Sequence, residues 1–225
     1  MSKAITVFAS EIKRRLKLIY SDVSCGLNYS NPYQLLVATV LSAQCSDARV
    51  NDVTVDFFRY FPDPVSLAAS DILILESIIR PTGLFHNKAR NLKRMALLLV
   101  ERHNGQVPAK KEQLVKLPGV GPKTANVVLA NVFGVPALAV DTHVYRVTRR
   151  LGLTEGKTTN LVESDLCKLF PKSCWIELHG QLISHGRQIC HAQKPNCVSC
   201  PFYDICPTGL GDMPDPHTVA SMSLR

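Results

Sequence analysis

Two candidate helices are joined by the segment LPGVGPKTA, which runs from residue 117 to residue 125. Gly119 and Gly121 can adopt the positive φ that other residues avoid, and they let a backbone approach closely. Pro122 has the fixed φ that suits the first position of a helix. The sequence therefore predicts a tight turn leading into a helix N-terminus, where a row of backbone N–H groups can bind an anion.

The apolar residues of this turn indicate how it is held in place. Leu117 and Val120 are expected to anchor it to the core. Two short helices joined in this way are typical of a helix-hairpin-helix, a motif that binds a DNA phosphate without reading base sequence. An ordinary helix–helix turn that contains two glycines is the alternative interpretation.

The charge balance favours a polyanionic partner. The 225 residues include 26 Lys+Arg and 18 Asp+Glu, a net charge of +8. Such a balance indicates nucleic acid or an anionic membrane surface. No apolar run approaches the roughly 20 residues of a spanning helix, and charges at 11, 13, 14, 15 and 17 argue against a signal peptide. We expect a cytoplasmic protein, nucleoid-associated if it is bacterial.

Apolar spacing predicts an all-α fold, because no sustained alternation typical of strands is present. In the helix expected at 87–103, Lys88, Arg90, Lys93 and Arg94 are predicted to be polar positions. The segment 209–225 is expected to be a loosely ordered tail. Asn31 is expected to cap a buried helix that begins at Pro32 and reaches about residue 43. The other expected helices are a helix from its Ser46 cap to 60, one opened by Ser70 and ended by Pro81, 110–116, 122–132, 142–151, 160–170 and 173–186.

Two residues near helix starts could carry chemistry. Lys123 stands in a first helical turn, where the helix dipole disfavours a cation. An amine attacks only when it is neutral, so a nucleophilic Lys123 would need to be desolvated in a cleft; a lysine that contacts phosphate is the alternative. Asp141 follows the apolar run 137–140 and is expected to cap the next helix, and a carboxylate there could also assist attack on a sugar carbon.

The eight cysteines are distributed unevenly. Four form the pattern Cys190-x6-Cys197-x2-Cys200-x5-Cys206, which indicates metal ligation rather than disulfides in a chain without a secretion signal. Both structural zinc and a [4Fe-4S] cluster are compatible with four thiolates at this spacing. The other four are expected to be ordinary buried thiols, at positions 25, 45, 167 and 174.

Taken together, these motifs resemble one family. The segment 117–125, the sequence VDTH at 140–143 and the four-cysteine pattern are similar to those of the helix-hairpin-helix DNA glycosylases, most closely their endonuclease III branch. The resemblance extends from about residue 20 to Cys206. It implies two helical domains flanking a DNA-binding cleft, with a six-helix barrel domain at 25–135, an iron–sulfur domain formed by 1–24 and 136–211, and a tail at 212–225.

The resemblance also implies an activity and its residues. The implied enzyme is a bifunctional glycosylase and abasic-site lyase that acts as a monomer on damaged duplex DNA, with oxidised pyrimidines as the expected lesions. Lys123 would attack C1′ and form a Schiff base, Asp141 would be the essential carboxylate, and Lys123 and Asp141 would lie on opposite walls of the cleft. The four cysteines would hold a [4Fe-4S] cluster. The implied DNA-binding residues are Gln44 and Leu84, which fill the gap left by a flipped nucleotide, with Leu117, Gly119, Val120, Gly121, His143 and Lys194.

Two other functions compete with this interpretation. A mismatch adenine or thymine glycosylase would share the fold, but the adenine enzymes lack the hairpin lysine and use a glutamate in an early helix, whereas residues 35–44 contain no acid. A non-catalytic DNA-binding module needs neither Lys123 nor Asp141.

Overall fold

The computed structural model of the chain describes residues 3–211, so the expected tail at 212–225 lies outside the described residues. Every regular element among the described residues is helical, which confirms the all-α prediction. The α-helices are α1 Lys3–Ile19, α2 Pro32–Leu41, α3 Asp47–Tyr60, α4 Pro64–Ala68, α5 Ile72–Ile79, α6 Phe85–His103, α7 Lys111–Leu114, α8 Pro122–Phe133, α9 Thr142–Arg150, α10 Thr159–Leu169, α11 Trp175–Gln188 and α12 Pro207–Gly211, with 3-10 turns at Arg80–Thr82 and Lys172–Cys174.

The described residues divide into two compact units. We call residues 24–139, which contain α2 to α8, the hairpin unit. Residues 3–23 and 140–211, which contain α1 and α9 to α12, form the cysteine unit. Each unit has its own buried apolar residues.

The core of the hairpin unit is built around α2. This helix is apolar on every side, and Leu35, Leu36 and Val37 are fully buried in it, as expected for a helix surrounded by others. Its start is fixed by Asn31, whose side chain accepts a hydrogen bond from Gln34 N at 3.0 Å. Helix α8 packs on α2, while α4 and α5 pack on α6. The packing of α8 on the buried helix α2 fixes the position of the start of α8 within the hairpin unit.

The cysteine unit is built on the packing of α9 against α11. A Cβ on Gly186 in α11 would lie 3.0 Å from the Cβ of His143, so a glycine lets the two helices approach closely. Helix α1 is joined to the cysteine-bearing end of the chain, because Arg15 Nη2 donates to Asp204 Oδ2 at 2.8 Å and Arg15 Nη1 donates to the Pro201 carbonyl at 2.7 Å.

Several predicted boundaries were wrong at their ends. Helix α5 is capped by Asp71 rather than Ser70, because it is the Asp71 side chain that accepts from Leu73 N. Pro81 lies within the 3-10 turn that continues this helix. Helix α6 begins at Phe85, two residues before the predicted start, and α2 ends at Leu41 rather than residue 43. The short helices α4 and α12 were not predicted.

One residue that was predicted to be a polar position of its helix is buried. Lys88 on α6 was expected to face solvent with Arg90, Lys93 and Arg94, but only 5% of it is exposed. Its ammonium is hydrogen-bonded inside the hairpin unit, as described below.

None of the eight cysteines, all of which lie within residues 3–211, forms a disulfide. Of the four expected to be ordinary buried thiols, only Cys174 is buried, while positions 25, 45 and 167 are half-buried. No helix between residues 3 and 211 combines the length and apolar character needed to cross a membrane.

Candidate active site and cysteine pocket

The turn between α7 and α8 has the form that its sequence predicts. Leu117 and Val120 are buried, and Val120 N donates to the Leu117 carbonyl at 3.1 Å. Gly119 has a φ of +80° and is exposed. A Cβ there would lie 3.2 Å from Asn91 Cβ and 3.3 Å from Val40 Cγ1, so both the backbone angle and the close packing require glycine.

The start of α8 has no side-chain cap. Gly121 is the N-cap residue, and its carbonyl accepts the first helical hydrogen bond from Ala125 N at 3.0 Å. Gly121, Pro122 and Lys123 are exposed. The N–H groups of the first turn therefore face a solvent-accessible surface, which is the arrangement that binds anions. A nucleophilic Lys123 was expected to be buried in a cleft. Instead, Lys123 is exposed at the second position of α8.

Asp141 begins α9 and caps it, as predicted. Its Oδ1 accepts a hydrogen bond from Val144 N at 2.8 Å, and the residue is half-buried. The four residues before it, 137–140, are buried, so the backbone that carries the carboxylate is packed in place. Asp141 belongs to the cysteine unit, whereas Lys123 belongs to the hairpin unit.

Gln44 and Leu84 share an unusual backbone conformation. Gln44 has a φ of +55° in the turn after α2, which is closed by a 3.1 Å bond from Cys45 N to the Ser42 carbonyl. Leu84 has a φ of +50° immediately before α6, and 55% of it is exposed. Left-handed non-glycine residues cost about 1–3 kcal/mol and cluster at functional sites. No feature of the sequence indicated this conformation at either position.

The four cysteines of the C-terminal pattern line a single pocket in the cysteine unit. Burial raises the pKa of the Cys200 thiol to about 11, with further contributions from Cys206, Cys190 and Cys197. Among the described residues, no group of three or more His, Cys, Asp or Glu side chains is arranged to hold a metal ion.

Two arginines of α9, which the sequence analysis missed, hold the loop that begins at Cys190. Arg150 donates to the carbonyls of His191 at 2.6 Å and Ala192 at 3.0 Å, and Arg150 Nη1 lies 3.4 Å from Cys190 Sγ. Arg146 donates through Nε to the Cys190 carbonyl at 2.9 Å. Their spacing of four residues on the helix that follows Asp141 was the available signal, since it places both on one face.

His185 is a third residue that the sequence analysis missed. Its Nε2 lies 3.8 Å from Cys200 Sγ and its Nδ1 lies 3.1 Å from the Tyr20 hydroxyl. Burial lowers the pKa of His185 to about 4, so the ring is neutral near pH 7. A neutral imidazole therefore forms one wall of the cysteine pocket.

The remaining predicted DNA-binding residues lie in the cysteine unit. His143 is half-buried against α11, with its Nδ1 3.1 Å from Arg146 Nη2. Lys194 is exposed in the loop between Cys190 and Cys197, and its φ of +49° is left-handed.

Comparison with known proteins gives matches over most of the chain. The HhH-GPD superfamily of base excision DNA repair proteins matches residues 37–172. The chain is 47% identical over 201 residues to endonuclease III of Synechocystis sp., covering 89% of this chain and 92% of that protein. It is 45% identical over 192 residues to endonuclease III of Bacillus subtilis, covering 85% and 88% respectively. The solved structure of a trapped endonuclease III–DNA covalent intermediate matches with a TM-score of 0.88 and 43% identity, over 92% of this chain and 99% of that one.

Proposed function

Because this chain belongs to the endonuclease III family of the HhH-GPD base excision DNA repair proteins, we propose that Lys123 is the nucleophile and Asp141 the assisting carboxylate of a DNA glycosylase and abasic-site lyase. The bifunctional activity is that of the family. One observation carries the assignment of Lys123: its side chain is exposed in the first turn of α8, beside uncapped N–H groups suited to a DNA phosphate.

The hairpin turn contributes to DNA binding mainly through its backbone. Gly119, Gly121 and the first turn of α8 present N–H groups to a phosphate, and the net charge of +8 attracts the duplex. Leu117 and Val120 are buried, so their side chains support the turn and only their backbone is available to DNA.

Gln44 and Leu84 enter the duplex when the damaged nucleotide leaves it. Both are exposed and both follow the C-terminal end of a helical segment, so each can project from a fixed base. A glycosylase must flip its target nucleotide out of the stack, and a side chain that fills the gap offsets the lost stacking. Oxidised pyrimidines are the damaged bases that we propose as substrates.

The chemistry begins when the Lys123 amine attacks C1′ and the bond from C1′ to the base breaks, the base leaving with the bonding electron pair and taking up a proton. The nitrogen lone pair then expels O4′, so that the sugar ring opens, O4′ gains a proton and an imine forms between Lys123 and C1′. The resulting imine withdraws electrons, so that loss of a C2′ proton breaks the bond between C3′ and its phosphate oxygen. Asp141 accepts a proton from the attacking amine, with its Oδ1 held by Val144 N. Since Lys123 is exposed in the protein alone, the desolvation that a neutral amine needs is supplied by the bound DNA.

We propose that the cysteine pocket holds a [4Fe-4S] cluster rather than zinc. Four cysteine side chains line one pocket, and no three such groups among the described residues have the arrangement of a site for a single ion. A cube binds each cysteine at a different iron, so its sulfur ligands lie farther apart than four thiolates on one zinc. When bound, the cluster would cross-link the loop segments that carry Cys190, Cys197, Cys200 and Cys206.

The competing functions have less support. The relatives described above are named endonuclease III, and residues 35–44 lack the acid of the adenine enzymes. A module that only binds DNA gives no reason for Lys123 and Asp141 to occur together.

Borohydride trapping tests the nucleophile. Borohydride reduces an imine, so it should join the native protein permanently to DNA that contains an abasic site, and Lys123→Gln should abolish the adduct. Lys110→Gln is the matched control, since Lys110 is also an exposed lysine of the hairpin unit at the start of a short helix. Trapping by Lys123→Gln at the native rate would place the nucleophile elsewhere, and no trapping by the native protein would contradict the lyase.

Iron analysis tests the cofactor. Protein purified without oxygen should be brown, with broad visible absorption and about four irons per chain. A colourless protein with one zinc per chain would contradict the cluster.

A further inference from the structure

Lys88 is a charged residue buried in the hairpin unit, where the mechanism above does not use it. Its Nζ donates to the carbonyl of Leu41 at 2.7 Å and to the carbonyl of Thr82 at 2.7 Å. Burial lowers the pKa of Lys88, and the nearby Cys45 acts in the opposite direction. Burying a lysine ammonium costs free energy unless it is hydrogen-bonded, so the two carbonyl acceptors are what make this position tolerable for lysine.

The two acceptors of Lys88 are both at the C-terminal ends of helical segments. Leu41 is the last residue of α2, and Thr82 is the last residue of the 3-10 turn Arg80–Thr82. Carbonyls at such ends lack partners within the helix and carry the negative end of its dipole. The Lys88 ammonium therefore donates to one carbonyl at each of these two ends and joins both ends to α6.

Each of these ends leads directly into one of the exposed left-handed residues. Gln44 is three residues after Leu41, and Leu84 is two residues after Thr82. Leu41 and Thr82 are distant in sequence, and Lys88 hydrogen-bonds to both of the segments that carry the two projecting residues. One ammonium is therefore hydrogen-bonded to the segment before Gln44 and to the segment before Leu84.

We propose that Lys88 is a positioning residue that holds Gln44 and Leu84 at the separation needed to fill the gap in the duplex. This inference rests on the proposed function, because it assigns Lys88 a role only through those two side chains. Lys88 itself is buried and is not expected to touch DNA.

The structure offers a matched control on the same helix. Lys93, also on α6, donates through Nζ to the Ser70 carbonyl and is half-buried. Ser70 lies between α4 and α5, outside the segments that carry Gln44 and Leu84. Replacing either lysine with methionine removes a donor to a backbone carbonyl, but only Lys88→Met releases the two projecting segments.

The test is a mutant cycle on glycosylase rate with a duplex that contains one oxidised pyrimidine. Lys88→Met and Lys93→Met are each measured in the native background and in a Gln44→Ala/Leu84→Ala background. Lys88→Met should lower the native rate by about 10- to 100-fold, because Gln44 and Leu84 lose the shared ammonium that sets their separation. In the double-alanine background it should lower the rate by less than about threefold, since coupled residues are not additive. Lys93→Met should change the glycosylase rate by the same factor in both backgrounds.

Each outcome of the cycle has a distinct meaning. Equal losses from Lys88→Met in both backgrounds would overturn the positioning role, because a purely structural lysine acts regardless of Gln44 and Leu84. A native rate in the double-alanine protein alone would instead reject the proposed role of those two side chains. Thermal melting is measured for every variant, and if Lys88→Met is unfolded at the assay temperature, the whole cycle is repeated at a lower temperature at which every variant is folded.

Discussion

Helices α8 and α9 begin in opposite ways, and each carries one of the two proposed catalytic residues. Helix α8 starts at Gly121, which has no side chain to cap it, and Lys123 lies in its first turn. Helix α9 starts at Asp141, whose carboxylate accepts a hydrogen bond from Val144 N. The first arrangement leaves backbone donors for an external anion, whereas the second uses one of them internally.

The difference shows how one element of secondary structure serves two purposes. An uncapped N-terminus suits phosphate binding, because its donors and the positive end of the dipole face outward. A capped N-terminus holds a carboxylate in a fixed orientation. Substitutions at the two helix starts can separate phosphate binding at α8 from carboxylate positioning at α9.

Asp141→Asn should separate capping from catalysis at α9 and have the largest effect. Asn caps a helix about as well as Asp, so the free energy of unfolding should change little. The glycosylase rate should fall by about 10²- to 10⁴-fold, the usual contribution of a positioned acid or base. Single-turnover kinetics and thermal melting measure the two quantities, and a rate near that of the native protein would leave Asp141 as a cap alone.

Gly121→Asp should turn the start of α8 into one resembling that of α9. A Cβ at Gly121 meets no atom within 4 Å, and its φ of −89° is open to any residue, so the fold should be kept. A carboxylate there opposes the DNA phosphate, and like charges brought together cost several kcal/mol. We expect DNA affinity to fall by on the order of 100-fold.

Fluorescence anisotropy at several salt concentrations checks this prediction. The loss of one phosphate contact should also reduce the salt slope by about 0.9. Gly121→Ala is the control, with affinity close to native. Native affinity in Gly121→Asp would show that phosphate binds elsewhere.

Gly119→Ala should have the smallest of the three effects, and it acts on the turn rather than on the helix start. A φ of +80° costs a residue with a Cβ about 1–2 kcal/mol, and the Cβ would press on Asn91. Denaturant unfolding should show this loss of stability with little change in the m-value. The same substitution at Gly121, where φ is negative, should leave the free energy of unfolding nearly unchanged, and equal losses at both positions would contradict the argument.

Local features of this chain followed from its sequence. The glycine turn at 119–121, the caps by Asn31 and Asp141 and the all-α character depend on residues within about four positions of each other, where backbone geometry and side-chain reach are decisive. Ser70 failed as a predicted cap because Asp71, one residue later, supplies the acceptor that α5 uses.

Other features were decided only by tertiary structure. Lys88 occurs at a polar position of an amphipathic pattern, and its burial depends on the Leu41 carbonyl, 47 residues away. The arginines that hold the Cys190 loop likewise donate to carbonyls 41 and 44 residues away, which folding brings to α9. The physical reason is that a hydrogen-bond partner within one turn is determined by sequence spacing, whereas a partner across the core exists only after helices have packed.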